Sequence, residues 1–440
     1  MDSSKQQQRQ NNPLDTRYEI LNTRYAHIDC DSFFASVLAR KDPQLKGKPI
    51  LALGMGGGFV IAASYEAKAK GVRTGMRLIE ARKLCPEAKP IISDFLESCR
   101  VSETIEQILE SRCARIEKMS VDEWYLDLNS CQGGIPKNPE IWAGEIQEDI
   151  RKQIGVTVSI GIAPTKLLAK MAGEYRKPSG ITIIIQKPYL ILNTKYLILL
   201  ECFLNDRTSV SIPGIGPRRQ LHSDSYGWKT AWDIANAPKD IIKKLFGRPG
   251  LDMQKELLGI PVSDVNDNPP PPKSISRCRS FGKEKDRDKI FGCLLQHLSY
   301  CVLKMRLQGL GCREVFVWAR DEQYKYSGCP HRLPQIMDTE EQILPYIKFC
   351  FGKILSEGAS YTQIGTALNN LKPMGNAQYS LFESAKKTAR ADMMQRSLDA
   401  IRNKYGRDAI VLGPGLKVEA KKQKRRGSIP DAYGRILDMR

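Results

Sequence analysis

The chain has 440 residues, 41% hydrophobic and 27% charged, with a formal net charge of +19. That length allows two to four domains with a sizeable buried core, and the positive excess suits a polyanionic partner, nucleic acid ahead of an anionic membrane surface. A membrane-spanning role is excluded by pattern: the most apolar region, Leu190 to Leu204, is broken by Asn193, Thr194 and Lys195 and falls short of the ~18 apolar residues a spanning helix needs.

Residues 1–22 are polar and rich in Gln and Asn. They read as a disordered arm, without the apolar stretch of a secretory signal. Arg24 to Ile28 is predicted as a strand entering the turn Asp29-Cys30-Asp31. Ile50 to Leu53 and Phe59 to Ile61 flank Gly54-Met55-Gly56-Gly57-Gly58, which is hairpin-loop chemistry. Ser64 is placed to cap a helix from Tyr65 that Gly71 ends. Residues 97–115 carry helical apolar spacing through Val101, Ile105, Ile108 and Leu109. Met119 to Leu128 and Val156 to Ile162 read as strands, Pro164-Thr165 starts a helix through Tyr175, and Ile181 to Ile185 forms a third strand after the turn Pro178-Ser179-Gly180. Strands mixed with crossing helices predict an α+β core.

From residue 187 to about 260 the pattern is helical. Asn266 to Pro272 (NDNPPPP) is a proline-stiffened linker. Residues 273 to 371 form a second α+β module, with Val315 to Trp318 as one of its strands. The tail runs into the basic stretch Lys421-Lys422-Gln423-Lys424-Arg425-Arg426, which suits either DNA or solvent. Twelve cysteines are scattered without a C-x-x-C pair, so they are expected as reduced, mostly buried thiols rather than a zinc site.

Two short segments carry the chemistry: His27-Ile28-Asp29-Cys30-Asp31-Ser32-Phe33-Phe34 and Ser120-Val121-Asp122-Glu123-Trp124-Tyr125-Leu126-Asp127. Each sets carboxylates beside an apolar residue that belongs in a core. Ionised carboxylates crowded there repel one another and need a counter-charge, which a pair of Mg²⁺ ions supplies together with substrate phosphates. Taken singly, Asp29 and Asp31 read as turn residues and Asp122-Glu123 as a solvated hairpin tip.

Taken together, H-I-D-C-D-S-F-F-A-S-V and S-V-D-E-W-Y-L-D-L resemble the two catalytic motifs of Y-family (DinB/UmuC-type) translesion DNA polymerases. The similarity continues in order through L-K-G-K-P-I, A-S-Y-E-A-K-A-K-G-V, L-C-P, G-I-A-P-T-K-L-L-A-K-M-A and K-P-S-G-I. The resemblance implies a right-hand polymerase. Its palm would take 23–34 and 96–185, its fingers 35–95, a helical thumb 186–260, a linker 261–272 and an α+β little finger 273–371. Residues 372–440 would hold a clamp-binding motif and the basic tail.

It also implies roles. Asp29, Asp122 and Glu123 would be catalytic and hold two Mg²⁺ (with Mn²⁺ able to substitute), helped by the Cys30 backbone carbonyl. Asp31 would be structural. Phe34 would stand under the incoming sugar as a steric gate against a ribose 2′-OH. Tyr65, Lys68 and Lys177 would contact the triphosphate; many relatives carry arginine at the position of Lys68, and lysine offers a point charge rather than a fork. Ile61 and Gly75 would face the nascent base pair. Gly214 and Gly216 sit in a helix-hairpin-helix-like turn, with Arg218 and Arg219 beside it, a pattern suited to DNA phosphates. Alternation from Lys273 to Phe281 puts Ser274, Ser276, Cys278 and Ser280 on one strand face and Ile275, Arg277, Arg279 and Phe281 on the other, where the two arginines would track the DNA backbone. Gln378, Leu381 and Phe382 match the Q-x-x-L-F peptide that binds a sliding clamp. The partners implied are primer-template DNA, dNTP and the clamp, for a cytoplasmic, monomeric catalytic unit working in damage tolerance. The alternatives are a catalytically inactive accessory member of the family and, more remotely, another palm-like enzyme such as a nucleotide cyclase.

Overall fold

The computed structural model describes residues 23–186, 196–376 and 385–406, with 409, 410 and 413. The predicted arm 1–22, the clamp peptide Gln378, Leu381 and Phe382, and the basic run 421–426 lie outside the described residues. The chain forms two compact units, residues 1–268 and 269–440. Their boundary falls inside the proline linker that the sequence marks.

In the first unit the strands are β1 (Tyr25–Cys30), β2 (Ile50–Leu53), β3 (Val60–Ala63), β4 (Lys89–Ile92), β5 (Ile116–Lys118), β6 (Glu123–Asp127), β7 (Val158–Ala163), β8 (Ile181–Ile185) and β9 (Leu197–Leu199). They make a six-stranded sheet of order β5-β6-β1-β7-β8-β9 and a three-stranded sheet of order β3-β2-β4. The long strand predicted over 119–128 is in fact the second half of a hairpin. Its turn is closed by the Met119 and Ser120 amides, which donate to the Glu123 carbonyl at 2.9 and 3.3 Å. Strand β9, in a region read as helical, pairs in parallel with β8. Ser64 does precede a helix (Tyr65–Ala69), yet its hydroxyl caps nothing. It accepts from the Ile50 amide at 3.0 Å and donates to the Lys48 carbonyl at 3.1 Å, tying the helix start to the sheet.

Period-two alternation gives the six-stranded sheet two faces. Ala26, Ile28, Trp124, Leu126, Ile160 and Ile162 pack on the helices Phe95–Glu110 and Pro139–Ile154. On the opposite face stand Tyr25, His27 and Asp29, paired in register with Asp127, Tyr125 and Glu123 on one side and with Ala163, Gly161 and Ser159 on the other. The helix Lys166–Tyr175, capped by the Thr165 hydroxyl, covers that face. It comes so close that a Cβ on Gly161 would lie 2.0 Å from the Ala169 carbonyl oxygen and 2.2 Å from the Gly173 amide. Both obstacles are backbone, so Gly161→Ala has to lift the helix. It is expected to lower stability by at least ~2 kcal/mol in chemical denaturation. Gly144→Ala, with open space around a mid-helix position, is expected to raise it by about 0.5–1 kcal/mol.

Cys113 and Cys131 meet across an isolated antiparallel bridge and are joined as a disulfide, against the expectation that all cysteines are reduced. The other ten are free thiols.

The second unit contains β10 (Ser274–Glu284), β11 (Leu310–Asp321), β12 (Tyr326–Met337) and β13 (Tyr361–Asn369) in the antiparallel order β10-β13-β11-β12. The helices Arg287–Leu307 and Glu340–Ile354 cover one face, burying Ile275, Val315, Val317, Leu333 and Leu368. A further helix, Ala385–Tyr405, follows in this unit.

Candidate active site

Asp29 and Glu123 stand directly opposite each other on β1 and β6, at the end of the sheet. Asp122 is the last residue of the hairpin turn, and its carbonyl accepts from the Cys30 amide at 2.9 Å. Asp29 and the adjacent pair Asp122-Glu123, far apart in sequence, therefore lie on adjoining strand ends. His27, Asp29 and Glu123 offer ligand atoms all within 4.8 Å of one another. Asp122 is turned aside, accepting from the Ser120 hydroxyl.

Two lysines supply counter-charge. Lys177 pairs with Asp29, and Lys170 with Glu123 at 2.5 Å. His27 Nε2 also reaches Glu123, at 2.8 Å. Burial alone would raise the Glu123 carboxyl, but the hydrogen bonds from His27 and Lys170 outweigh it and hold it down at about 2. Glu123 is thus ionised and can only accept, so His27 Nε2 is the donor. For Asp29 the balance goes the other way: burial outweighs Lys177 and raises its carboxyl above the usual range. Lys177 is itself raised, because the attraction of Asp29 exceeds the effect of burial. A half-buried carboxylate whose burial penalty exceeds the help of its lysine gains from a further cation. The oxygen donors gathered at this strand end are the hard ligands that divalent ions of the Mg²⁺ kind take. The residues fit the metals implied by the sequence.

Asp31 is buried and its carboxylate is used within the fold: it accepts from Ser159 at 2.8 Å, the Ser179 amide at 2.8 Å and Tyr65 at 3.3 Å. Tyr65 and Lys68 share one face of their helix, with the Lys68 ammonium 4.5 Å from the Tyr65 ring centroid and 2.8 Å from the Ser32 hydroxyl. Burial and the neighbouring Lys177 lower Lys68 below the usual lysine value. Phe34 is half-buried between Phe33 and Phe95, ring centroids 5.4 and 5.5 Å away. Ile61 borders the same small apolar cluster as Phe34, and Gly75 donates its amide to Val60 beside it at 2.8 Å.

Two groups at the carboxylates, His27 and Lys170, were given no role by sequence reasoning. The signal was present for His27, which is two residues before Asp29 and so on the same strand face. Lys170 lies one turn after Lys166, which pairs with Glu117 at 2.5 Å, so one helix face serves the whole β5–β6 hairpin.

The residues expected to contact DNA divide. Gly214 has φ of 96° and precedes the helix Pro217–Ser225, as a helix-hairpin-helix turn needs. Gly216 is that helix's N-cap and Arg218 is exposed, whereas Arg219 donates to the Gly214 carbonyl at 2.9 Å. On β10 the alternation is as expected, but Ile275 is buried against the helices. Arg277 and Arg279 therefore lie on the helix-covered side, with Arg277 4.2 Å from the Tyr300 ring centroid. The open side of the sheet belongs to the serines.

Residues 28–174 match the model of the impB/mucB/samB family, and residues 272–381 match that family's C-terminal domain. A DNA polymerase IV of Moorella thermoacetica is 31% identical over 395 residues, covering 87% of this chain and 93% of the relative. One of Streptococcus pneumoniae is 34% identical over 276 residues, 61% of this chain and 72% of the relative. Among solved structures, a Y-family DNA polymerase chimera of Dbh and Dpo4 superposes with a TM-score of 0.66 at 24% identity, covering 79% of this chain and 98% of that one. A structure described as an insertion ternary complex of Dbh DNA polymerase gives 0.53 with the same identity and coverage. The chain belongs to the impB/mucB/samB family, and with it to the Y-family DNA polymerases.

Proposed function

We propose that this chain adds dNMP to a primer 3′ end on a DNA template by two-metal catalysis, with release of pyrophosphate, low fidelity and no proofreading, and that it serves DNA damage tolerance. The observation that carries the proposal is the register that sets Asp29 opposite Glu123, with Asp122 beside them. Asp29, Asp122, Glu123 and the Cys30 carbonyl would hold two Mg²⁺, which when bound lower the cost of the attacking 3′-oxygen and of the charge on the leaving pyrophosphate. His27 and Lys170 hold the Glu123 carboxylate ionised and oriented. Lys177, Lys68 and Tyr65 form one basic and hydroxyl-bearing wall beside the carboxylates, and the triphosphate is assigned to it. Phe34, wedged by its two aromatic neighbours, cannot swing away from a sugar above it. Ile61 and Gly75 leave little bulk over the base pair.

In this reading the six-stranded sheet is the palm, the three-stranded sheet belongs to the fingers, and the second unit contains the little finger. The Gly214 turn with Arg218 grips DNA phosphates, Arg279 adds long-range positive charge, and Gln378, Leu381 and Phe382 bind a sliding clamp. The catalytic unit acts as a monomer. The test is extension of a labelled primer by the purified full chain with Mg²⁺ and single dNTPs. Incorporation that follows the templating base supports the proposal, and none at enzyme excess over primer refutes it.

The gate gives a second measurement. Phe34→Ala opens the space a 2′-hydroxyl would need, so the variant is expected to narrow the preference for dNTP over rNTP by roughly 10²-fold or more, at about 1.4 kcal/mol per factor of ten. Unchanged sugar selection in single-nucleotide insertion would remove Phe34 from that role.

A further inference from the structure

Asp31 is 1% exposed, yet its carboxylate collects donors from three separate elements of the first unit. One oxygen accepts from the Ser159 hydroxyl on β7 at 2.8 Å and from the Tyr65 hydroxyl, at the start of the helix Tyr65–Ala69, at 3.3 Å. The other accepts from the Ser179 amide at 2.8 Å, two residues after Lys177. The next amide, that of Gly180, donates to the Ser159 hydroxyl oxygen at 3.3 Å, so both amides of this turn lead back to Asp31. The neighbouring Ser32 accepts from Lys68 at 2.8 Å. Each of the three side chains assigned to the triphosphate is therefore tied, directly or through a near neighbour, to Asp31-Ser32. Backbone strain falls at the same place. Ser32 and Ser179 have φ of 48° and 55°, a left-handed conformation that non-glycine residues seldom adopt. Such strain persists only where the surrounding bonds over-determine it.

Filling the space beside β7 needs no charge, and burying one is costly. What the carboxylate adds is a common acceptor for donors on elements that are not neighbours in the chain. Burial and the Asp31 charge raise the Tyr65 hydroxyl above its usual range, so it stays a donor. Its bond to Asp31 is the longest of the three and so the weakest held. It is the one a phosphate oxygen can take over, leaving Asp31 still bonded to Ser159 and Ser179. We propose that Asp31 is a positioning residue for the incoming nucleotide, holding the Tyr65 helix and the Lys177 turn at the separation that a triphosphate bridges. The proposal rests on the assignment of Tyr65, Lys68 and Lys177 to the triphosphate, and goes beyond it in naming the residue that sets their spacing.

The experiment measures binding of the templated dNTP to the full chain on a dideoxy-terminated primer-template with Ca²⁺, beside single-nucleotide insertion with Mg²⁺ on an ordinary primer. Asp31→Ala is expected to weaken nucleotide binding roughly ten- to hundredfold, while primer-template affinity and kcat each change less than about threefold. Asp31→Asn keeps the shape and an acceptor for the Ser179 amide, and its own amide faces hydroxyls able to accept. It is expected to recover most of the loss. Asp127→Ala removes another buried carboxylate of the same sheet, at the Tyr25 end of the register. It is expected to cost stability and leave nucleotide affinity in place. Nucleotide affinity that Asp31→Ala leaves intact overturns the proposal. So does an equal loss from Asp127→Ala, or an Asp31→Asn variant as weak as Asp31→Ala. If Asp31→Ala does not fold, Ser159→Ala removes one link and leaves the carboxylate. It is expected to weaken nucleotide binding roughly threefold or more, and no change there overturns the proposal equally. An unaltered chain that binds the nucleotide and extends no primer refutes the polymerase reading alone. Extension that proceeds with nucleotide affinity indifferent to Asp31 refutes this proposal alone.

Discussion

Replacing Asp122 and Glu123 together with alanine is expected to lower primer extension by roughly 10³-fold or more. The estimate follows from the several kcal/mol that metal ions contribute to a phosphoryl transition state, at 1.36 kcal/mol per factor of ten. The fold has reason to survive. Asp122 sits at a turn with Ser120 as its side-chain partner among the described residues, and the neighbours Trp124, Tyr125 and Leu126 stay buried. Glu123 is different, because its removal leaves His27 in a dry site without its acceptor, a cost of about 1–3 kcal/mol. Glu123→Gln separates the two effects. It keeps an acceptor for His27 and removes the charge, so stability should hold while extension falls. Asp29→Asn should lose activity similarly. Extension within tenfold of the unaltered chain by the double variant, with DNA binding retained, would take the carboxylates out of the chemistry.

The carboxylate site was legible because its parts are local: an apolar strand residue next to an acidic one, twice. Pairing Asp29 with Glu123 required a long-range register that only the sheet provides. His27 and Lys170 escaped notice because a histidine and a lysine carry no distance information until a partner is placed opposite. The β10 alternation was read correctly, but it carried no orientation. Period two says which residues share a face, but Ile275 at the start of the strand decides which face is covered, and it drew Arg277 and Arg279 to the helix side. The hairpin at 119–122 was taken for strand because Met119 and Val121 look apolar. The last helix, Ala385–Tyr405, was not predicted, and several of its charged residues are spent on partners in the body of the unit.

Those contacts make the strongest prediction about the second unit. Arg402 on the helix Ala385–Tyr405 and Glu340 at the start of Glu340–Ile354 are 2% and 3% exposed. They are ion-paired with each other, and Ser299 donates to Glu340 at 2.9 Å. Nearby, Arg306 joins Asp338, Asp392 at 3.1 Å and Asp399 at 2.8 Å, so the last helix is held to the body by charges that, apart from the more open Asp392, are largely withdrawn from water. Glu340→Ala strands a buried guanidinium, and it should destabilise the unit by about 3–5 kcal/mol, with hydrogen-exchange protection lost first over residues 392–405. Arg402→Met combined with Glu340→Leu leaves no charge to strand and should recover most of that loss. The exposed pair Arg396–Asp392 supplies the contrast: Arg396→Ala should cost no more than about 0.5 kcal/mol. If Glu340→Ala cost as little as Arg396→Ala, solvent or another acceptor would have to be reaching Arg402, and the anchoring of the helix would rest on Arg306 and on Gln395, which accepts from the residue-340 amide at 3.0 Å.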